Sequence, residues 1–300
     1  MTLPSGGWIA QIHIYPVKGL RGCEIATCRV EPWGLEGDRR WMLVDAAGTF
    51  LSQRELPGMA RIGVETGSEG IFLVADGDRV AARFPNPASP RRNVLVWRDT
   101  VSVLVAEDDA NRWLSLKLGV ACSLVYMDEP VSARAIDPAF AAGAPVSFAD
   151  GFPILITSLV SLRELNTRSG VRTPMDRFRA NIVIDGAEPW AEDRWHTITA
   201  GSTVLAPVKP CARCSVTTVE QATGLRLGRE PLRTLATFRR ASDGGVRFGQ
   251  NIVPVRTGSL SVGDPVGIVE QSTAIDGLNP SALLDVSAPQ QTQREPAAWR

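Results

Sequence analysis

The segment "KPCARCSVTT", residues 209–218, holds the side chains with the clearest potential for chemistry. Cys211 and Cys214 lie three positions apart, and Arg213 directly precedes the second cysteine. A C-x-x-C pair occurs in zinc sites, in redox-active disulfides and as two small buried residues on a turn. A fourth possibility is that one cysteine acts alone, as a thiolate ligand of a soft metal.

The rest of the sequence argues against a zinc site and against a thioredoxin-like disulfide. A zinc site needs a second pair of ligands at short spacing. The other cysteines and both histidines are solitary: Cys23, Cys28, Cys122, His13 and His196. A thioredoxin-like pair begins a helix, whereas "SVTTVE" after Cys214 is rich in residues typical of strands. A buried structural pair and a single thiolate both remain open.

A single metal-binding thiolate would need further partners. The guanidinium group of Arg213 would favour the thiolate form of Cys214 electrostatically. One thiolate cannot hold a transition metal by itself, so the remaining ligands would have to come from an organic cofactor. If this interpretation is right, the chain must contain other groups that hold such a cofactor.

Composition indicates a globular protein without strong attraction to polyanions. Lys plus Arg and Asp plus Glu both total 32 of 300 residues, so the net charge gives no long-range attraction to nucleic acid or an anionic membrane. The first 20 residues lack a secretory pattern, and no window approaches ~18 apolar residues. We therefore expect a cytoplasmic protein that binds neither a nucleic acid polymer nor a membrane.

Short apolar or alternating runs, separated by Gly, Asp and Pro, predict strands along most of the chain. Helical spacing predicts two helices, over residues 107–119 and 158–170, the second with Ser158 as its N-cap. These patterns predict a mainly β (α+β) fold of two β-rich units. We place the units at 1–120 and 121–270, and expect 271–300 to be a mobile tail because it lacks periodicity.

Seven short motifs occur in an order that resembles the MOSC superfamily. They are "YPVKGL" (15–20), "GDRRWMLVD" (37–45), "DRFRANIVI" (176–184), "AEDRW" (191–195), "CARCSVTTV" (211–219), "FGQNIV" (248–253) and "SVGDPV" (261–266). Within the superfamily, the chain is similar to the mitochondrial amidoxime-reducing components and the bacterial YcbX-like proteins. The resemblance implies an N-terminal MOSC β-barrel domain in the first unit and a MOSC domain in the second.

The resemblance also implies a molybdenum cofactor, in which the dithiolene of a phosphorylated pterin (molybdopterin) holds the metal and one protein cysteine completes the attachment. Cys214 matches the family's molybdenum ligand, and Cys211 is its neighbour. The other positions that match cofactor-binding residues of the family are Lys18 and Arg39 in the first unit and Arg179 and Asn181 in the second.

Four further residues are candidates for cofactor contacts. Thr157 and Ser158 lie at a predicted strand-to-helix junction, where backbone N–H groups and the helix dipole favour a phosphate. Gly19 stands where some relatives carry a serine, and its backbone can approach an anion closely. Arg213 is the fourth. The alternatives are that Ser158 is only a helix cap and that Lys18, Arg39 and Arg179 are surface residues.

The activity that the resemblance implies is the reduction of N-hydroxylated compounds: amidoximes, hydroxylamines and N-hydroxylated nucleobases. A separate flavin or iron–sulfur protein must supply the electrons, because no cysteine follows Cys214 to hold a ferredoxin-type cluster. Asp193 is a candidate proton source, while His196 and Asp264 receive no catalytic role. The alternative function is a molybdenum cofactor carrier or insertion protein, or a sulfur-transfer protein, without reductase activity of its own.

Overall fold

The computed structural model describes residues 5–269, and the tail predicted over 271–300 lies outside them. The strands of the first half are β1 (Ser5–Ile14), β2 (Val17–Lys18), β3 (Cys23–Ile25), β4 (Thr27–Glu31), β5 (Gly34–Leu35), β6 (Trp41–Val44), β7 (Gly63–Gly67), β8 (Gly70–Ala75), β9 (Asp78–Arg83), β10 (Arg91–Val96), β11 (Asp99–Val105) and β12 (Ser123–Tyr126). Those of the second half are β13 (Ile154–Ser158), β14 (Ile182–Asp185), β15 (Thr197–Ala200), β16 (Thr203–Ala212), β17 (Arg247–Arg256), β18 (Gly258–Ser261) and β19 (Pro265–Val269). The α-helices of this part of the chain are α1 (Asp108–Leu118), α2 (Pro130–Ala133), α3 (Leu159–Ser169) and α4 (Leu232–Phe238).

Seven strands form a closed barrel in the order β14-β13-β17-β16-β15-β19-β1, and the pairing of β1 with β14 completes the ring. Apolar side chains fill its interior, among them Ile9, Ile184, Leu205 and Ile252, which are all fully buried. Burial of this apolar surface is the main term that stabilises the barrel. The prediction of a mainly β fold with a few helices is confirmed.

The alternation of buried and exposed side chains is broken within strand β1. Its register against β14 shifts between Ile9 and Gln11, which marks a β-bulge. The extra residue reverses the side-chain alternation, so Ile9 and Ile12 are both buried while Trp8 is 48% exposed. Strict alternation along a strand would place Trp8 on the same face as Ile12, and the bulge explains the difference.

Three smaller sheets pack beside the barrel: β10-β11-β12-β6-β2, β18-β4-β5 and β7-β8-β9. The two predicted units exchange strands, because β1 from the start of the chain closes the barrel and β12 joins a sheet of earlier strands. Val17 and Lys18 of β2 pair in parallel with Trp41 and Met42 of β6. This pairing places the ends of β2 and β6 next to the barrel.

The two helices predicted from periodicity are present. In α3, Ser158 accepts hydrogen bonds from the backbone N–H groups of Val160 and Ser161. Gly119 and Gly170 end α1 and α3 in the left-handed conformation, at φ values of 69° and 66°. One prediction was wrong: "SVTTVE" contains the 3-10 helix Ser215–Thr218 instead of a strand, because the backbone turns there and Thr217 and Thr218 bond back to residues 214 and 215.

A buried carboxyl group ties α3 to the barrel. Glu192 is fully buried in the 3-10 helix Ala191–Arg194, and the Ser161 hydroxyl of α3 lies 2.9 and 3.0 Å from its two carboxylate oxygens. Burial raises the pKa of Glu192 to about 7, and the nearby charge of Asp193 adds to the increase, while Ser161 and Arg239 oppose it. The folded state therefore holds this proton more tightly than the unfolded chain.

We predict that Glu192 makes the protein less stable as pH rises. Below pH 4.5 the group is protonated in both states, and its favourable contribution is lost between about pH 4.5 and 7, an effect on the order of 3 kcal/mol. Glu192→Gln keeps a partner for Ser161 and removes the titration. Urea unfolding at pH 5 and pH 8 should show a stability loss in wild type that the variant lacks.

The exposed Glu188→Gln serves as the matched control, since its side chain is 82% exposed. It should follow wild type at both pH values. Parallel changes in wild type and Glu192→Gln between pH 5 and 8 would contradict the assignment.

Candidate functional site

An open cavity lies where the barrel meets the sheet that contains β2 and β6. Four segments line it together with Lys18, Gly19 and Arg39: residues 50–54, 149–152, 178–181 and 211–217. Leu155 of β13 and Asn251 of β17 complete the wall on the barrel side. The cavity therefore depends on segments that are far apart in the sequence.

The structure brings seven of the nine predicted site residues to this cavity: Lys18, Gly19, Arg39, Arg179, Asn181, Arg213 and Cys214. Thr157 and Ser158 do not line it. Thr157 is fully buried, with its hydroxyl 3.3 Å from the sulfur of Met175, and Ser158 caps α3. The strand-to-helix junction at 157–158 thus points into the protein rather than toward the cavity.

Cys214 is the exposed cysteine of the pair. It precedes the 3-10 helix Ser215–Thr218 and lines the cavity, whereas Cys211 is half-buried. The sequence placed Arg213 against Cys214, but the guanidinium group turns the other way. Its Nη1 donates to Cys211 Sγ at 2.9 Å and its Nη2 to the Phe178 carbonyl at 2.5 Å. Arg213 therefore contacts Cys211, and Cys214 is exposed in the cavity wall.

Arg39 and Asn181 join the two sides of the cavity. Arg39 Nη1 donates to Asp38 Oδ2 at 2.6 Å and to Asn181 Oδ1 at 3.0 Å. The Asn181 amide also donates to the His13 carbonyl at 3.1 Å and accepts from the Leu155 N–H at 3.2 Å. Burial opposes ionisation of Arg39, but Asp38 outweighs it and raises the pKa of the guanidinium group. Arg39 is thus a fixed positive charge.

Arg179 carries positive charge that the described residues do not neutralise. Its Nη1 donates to the Leu20 carbonyl at 2.8 Å, while its buried Nη2 has no hydrogen-bond partner within residues 5–269. Burial lowers the pKa of Arg179 to about 10, and the neighbouring charge of Arg39 acts in the same direction. Both guanidinium groups lie over the ring of Tyr15, at 4.6 Å for Arg39 and 4.2 Å for Arg179.

The backbone at both arginines is unusual. Arg39 has a φ of 48° and Arg179 a φ of 54°, in the left-handed region that side chains other than glycine seldom adopt. Arg179 adopts this conformation where it ends the 3-10 helix Met175–Phe178. Conformations of this kind cost about 1–3 kcal/mol and are concentrated at functional sites. Here they direct two guanidinium groups into one cavity.

Lys18 and Gly19, from the first unit, form part of the cavity wall. Lys18 is 8% exposed, donates to the Phe148 carbonyl at 2.8 Å and forms an ion pair with Asp150. Burial lowers the pKa of the ammonium group, and Asp150 opposes this change. Gly19 has a φ of 86°, and a Cβ there would lie 2.6 Å from the methyl group of Met59. The left-handed backbone is what favours glycine at this turn, since the Met59 methyl group is the end of a flexible side chain.

Sequence reasoning missed several residues of the site. Gln53 and Gln221 are both buried and exchange amide hydrogen bonds of 3.1 and 3.0 Å, and Gln53 also donates to the Gly19 carbonyl at 2.7 Å. Asp150 lies in the loop-rich stretch between β12 and β13, outside the seven motifs. Residues 50–54 and 149–152 are loops of ordinary composition, so only their position in the fold reveals their role.

Asp193, His196 and Asp264 lie away from the cavity lining. Asp193 forms an ion pair with Arg239 at 2.6 Å and accepts a hydrogen bond from the Gln250 amide. His196 is exposed in a loop. Asp264 accepts from the Ser261 N–H at 2.8 Å in a turn. The geometry thus gives Asp193 a structural contact but no position facing the cavity.

The cavity is strongly cationic. Five basic side chains line it: Lys18, Arg39, Arg54, Arg179 and Arg213. Among the described residues, Asp150 is the only carboxylate in the lining. Arg213 Nε, like Arg179 Nη2, is buried without a partner in this part of the chain. Unpartnered buried donors cost about 1–3 kcal/mol each, so an anionic group with acceptor oxygens would complete the site.

Protein ligands for a metal are sparse. Within residues 5–269 no group of three or more His, Cys, Asp and Glu side chains is placed to hold a metal ion. A metal at Cys214 would therefore need other ligands from a bound molecule. The same residues contain no helix with the length and apolar character needed to span a membrane.

Comparisons with known proteins agree with this architecture. Residues 6–121 match the model of the MOSC N-terminal beta barrel domain, and residues 143–267 match that of the MOSC domain. Mitochondrial amidoxime-reducing component 1 of Mus musculus is 30% identical, over 90% of this chain and 84% of the relative. The human protein of that name is 29% identical, over 90% of this chain and 85% of its own length.

A molybdenum cofactor sulfurase of Oryza sativa subsp. japonica is 29% identical over 80% of this chain, which corresponds to 32% of that much longer protein. Among solved structures, the match to the YUAD protein of Bacillus subtilis covers 90% of this chain and 98% of that chain, at 13% identity and a TM-score of 0.40. The two matched domains and the 30% identity over nearly the whole chain show that this protein belongs to the MOSC family.

Proposed function

We propose that the cavity binds a molybdenum cofactor and that the protein reduces N-hydroxylated compounds. The observation that carries the proposal is the exposed thiol of Cys214 in a cavity lined by five basic groups and one carboxylate. A soft thiolate suits a transition metal, and the surrounding cations suit a phosphorylated ligand. The names of the amidoxime-reducing relatives support the reaction class.

The residues present fit the cofactor. The two unpartnered guanidinium nitrogens, Arg179 Nη2 and Arg213 Nε, supply donors for its anionic oxygens. Lys18 and Arg39, from the first half of the chain, also line the cavity as donors, each held by a neighbouring carboxylate. Cys214 would be the protein ligand of the metal. Phe50, Phe152 and Phe178 contribute the apolar part of the lining, which limits the access of water.

The reaction is a two-electron reduction. An N-hydroxylated compound, R–NH–OH, takes up two electrons and two protons and gives R–NH2 and water, with cleavage of the N–O bond. When bound, the molybdenum cofactor supplies the two-electron redox chemistry. A separate flavin or iron–sulfur protein supplies the electrons. The chain itself holds the cofactor, orients the N–OH group in the cavity and keeps the cationic side chains in place.

We predict that Cys214→Ser abolishes the reduction of benzamidoxime while the fold survives, because an alcohol is a poor ligand for a soft metal. Cys211→Ser should have a milder effect, since Cys211 contacts Arg213 and is the less exposed cysteine. The measurement is the turnover of protein produced in a host that makes the cofactor, with thermal unfolding as the check of the fold. Equal turnover of wild type and Cys214→Ser would contradict the ligand assignment.

Arg179→Ala should lower cofactor occupancy more than stability. The substitution removes the hydrogen bond to the Leu20 carbonyl and the contact with Tyr15, but it also removes an unsatisfied buried donor, so the two effects on stability partly offset each other. Loss of a charge-assisted contact corresponds to about tenfold weaker retention or more. The pterin released from the denatured protein, measured by its fluorescence after oxidation, reports occupancy. Unchanged pterin content would make Arg179 purely structural.

The same assay also distinguishes the reductase from the alternative function. Protein that retains molybdenum and pterin but does not consume benzamidoxime or N-hydroxyadenine with any reduced donor would support a cofactor carrier or sulfur-transfer protein instead. The observation that favours this alternative is the 29% identity to a molybdenum cofactor sulfurase.

A further inference from the structure

An arginine-rich segment, residues 222–247, follows the Cys214 region along the chain. It contains six arginines and two acidic residues, in a chain whose total charge is balanced. Leu225 and Leu227 in the same segment are 59% and 53% exposed. Because residues two apart in an extended backbone project to the same side, the two leucines share one face. The segment therefore combines positive charge with exposed apolar surface.

Backbone hydrogen bonds hold the start of this segment in place. Arg226 forms a β-bridge with Val219, and the Glu220 N–H donates to the Leu225 carbonyl at 2.8 Å. The Leu227 N–H donates to the Thr218 carbonyl at 3.3 Å. The two leucines thus belong to an ordered loop, and their exposure is a property of the folded protein.

Both ends of the arginine-rich segment reach the cavity. At its start, Arg226 Nη2 donates to the carbonyl of Arg54, a residue of the cavity lining. At its end, Arg247 of β17 pairs with Ala212, two residues before Cys214. A protein that docks on this segment would lie next to the opening of the cavity.

Two of the four arginines in the middle of the segment lack an ion-pair partner among the described residues, whereas Arg233 pairs with Glu230 and Arg239 with Asp193. Arg229 and Arg240 are exposed, and neither forms an ion pair within residues 5–269. The side chain of Arg233 is 70% exposed although it pairs with Glu230. Isolated arginines are ordinary solvated surface, but arginine is enriched at protein interfaces, and the exposed leucines beside it add apolar surface that a partner can bury.

We propose that the arginine-rich segment docks the electron-donor protein, through an acidic surface of that donor. This inference rests on the proposed function, which needs two electrons from outside for each N–O bond that is cleaved. Electron transfer requires close approach of donor and acceptor, and this segment borders the cavity. The fitting partners are acidic one-electron carriers, such as a plant-type [2Fe–2S] ferredoxin or a flavodoxin with its flavin mononucleotide.

The test compares protein donors with a small one. Leu225→Ser combined with Arg229→Glu removes apolar surface and reverses a charge outside the cavity lining. We expect the KM for reduced ferredoxin or flavodoxin to rise about tenfold or more. Turnover of benzamidoxime with reduced methyl viologen, which needs no docking surface, should equal that of wild type. Added salt should slow wild type with the protein donor and leave the methyl viologen rate unchanged.

The matched control is Leu116→Ser combined with Arg83→Glu, which makes the same chemical changes at exposed positions outside the cavity lining and the arginine-rich segment. It should behave as wild type with both kinds of donor. An unchanged KM of the test variant for both protein donors would overturn the docking surface. An equal loss with methyl viologen would also overturn it, because the substitution would then act on the site itself.

Failure of the proposed function has a different signature. If wild type loaded with cofactor does not reduce benzamidoxime with methyl viologen, the reductase assignment is wrong. Titration calorimetry with oxidised ferredoxin and oxidised flavodoxin still tests the surface in that case. Weaker binding by the test variant than by wild type and control supports docking, and equal or absent binding for all three contradicts it.

Discussion

Unneutralised positive charge in one cavity is the constraint on which the site depends. Arg179 is half-buried, its buried Nη2 is unpartnered in the described chain, and Arg39 lies on the same tyrosine ring. A buried charge without a counterion is costly, and like charges nearby raise that cost. Asp38 neutralises Arg39 and Asp150 neutralises Lys18, whereas Arg54, Arg179 and Arg213 form no ion pair among the described residues and remain available for a ligand. The phosphorylated cofactor that we propose would satisfy this requirement.

The architecture serves to assemble these charges. Strand β1 crosses into the barrel, and the chain that leaves it carries Tyr15, on which both guanidinium groups rest. The parallel pairing of β2 with β6 then positions Lys18 beside the turn at Arg39. The Gln53–Gln221 pair fastens the loop of the first half to the segment that follows Cys214. Each contact joins residues that are separated in sequence, so the cavity depends on the tertiary fold.

Helix caps and hydrophobic periodicity in the sequence were enough to predict the helices and most of the β segments. The two capped helices and the β character of most segments follow from periodicity and from Ser158, Gly119 and Gly170. Resemblance to a family located Lys18, Arg39, Arg179 and Cys214, which the fold brings together. Asp150 and Gln53 were not predicted because loops without periodicity acquire a role only through tertiary contacts. The spacing of residues in the sequence also could not predict where the Arg213 side chain points, because its guanidinium group bonds to the distant Phe178 carbonyl.

The most direct test of the central claim is the metal and phosphorus content of the purified protein. Plasma mass spectrometry of wild type from a host that synthesises the cofactor should give near-stoichiometric molybdenum together with phosphorus. Zinc, or neither molybdenum nor phosphorus, in a folded protein from such a host would contradict the account and leave Cys211 and Cys214 as a structural pair.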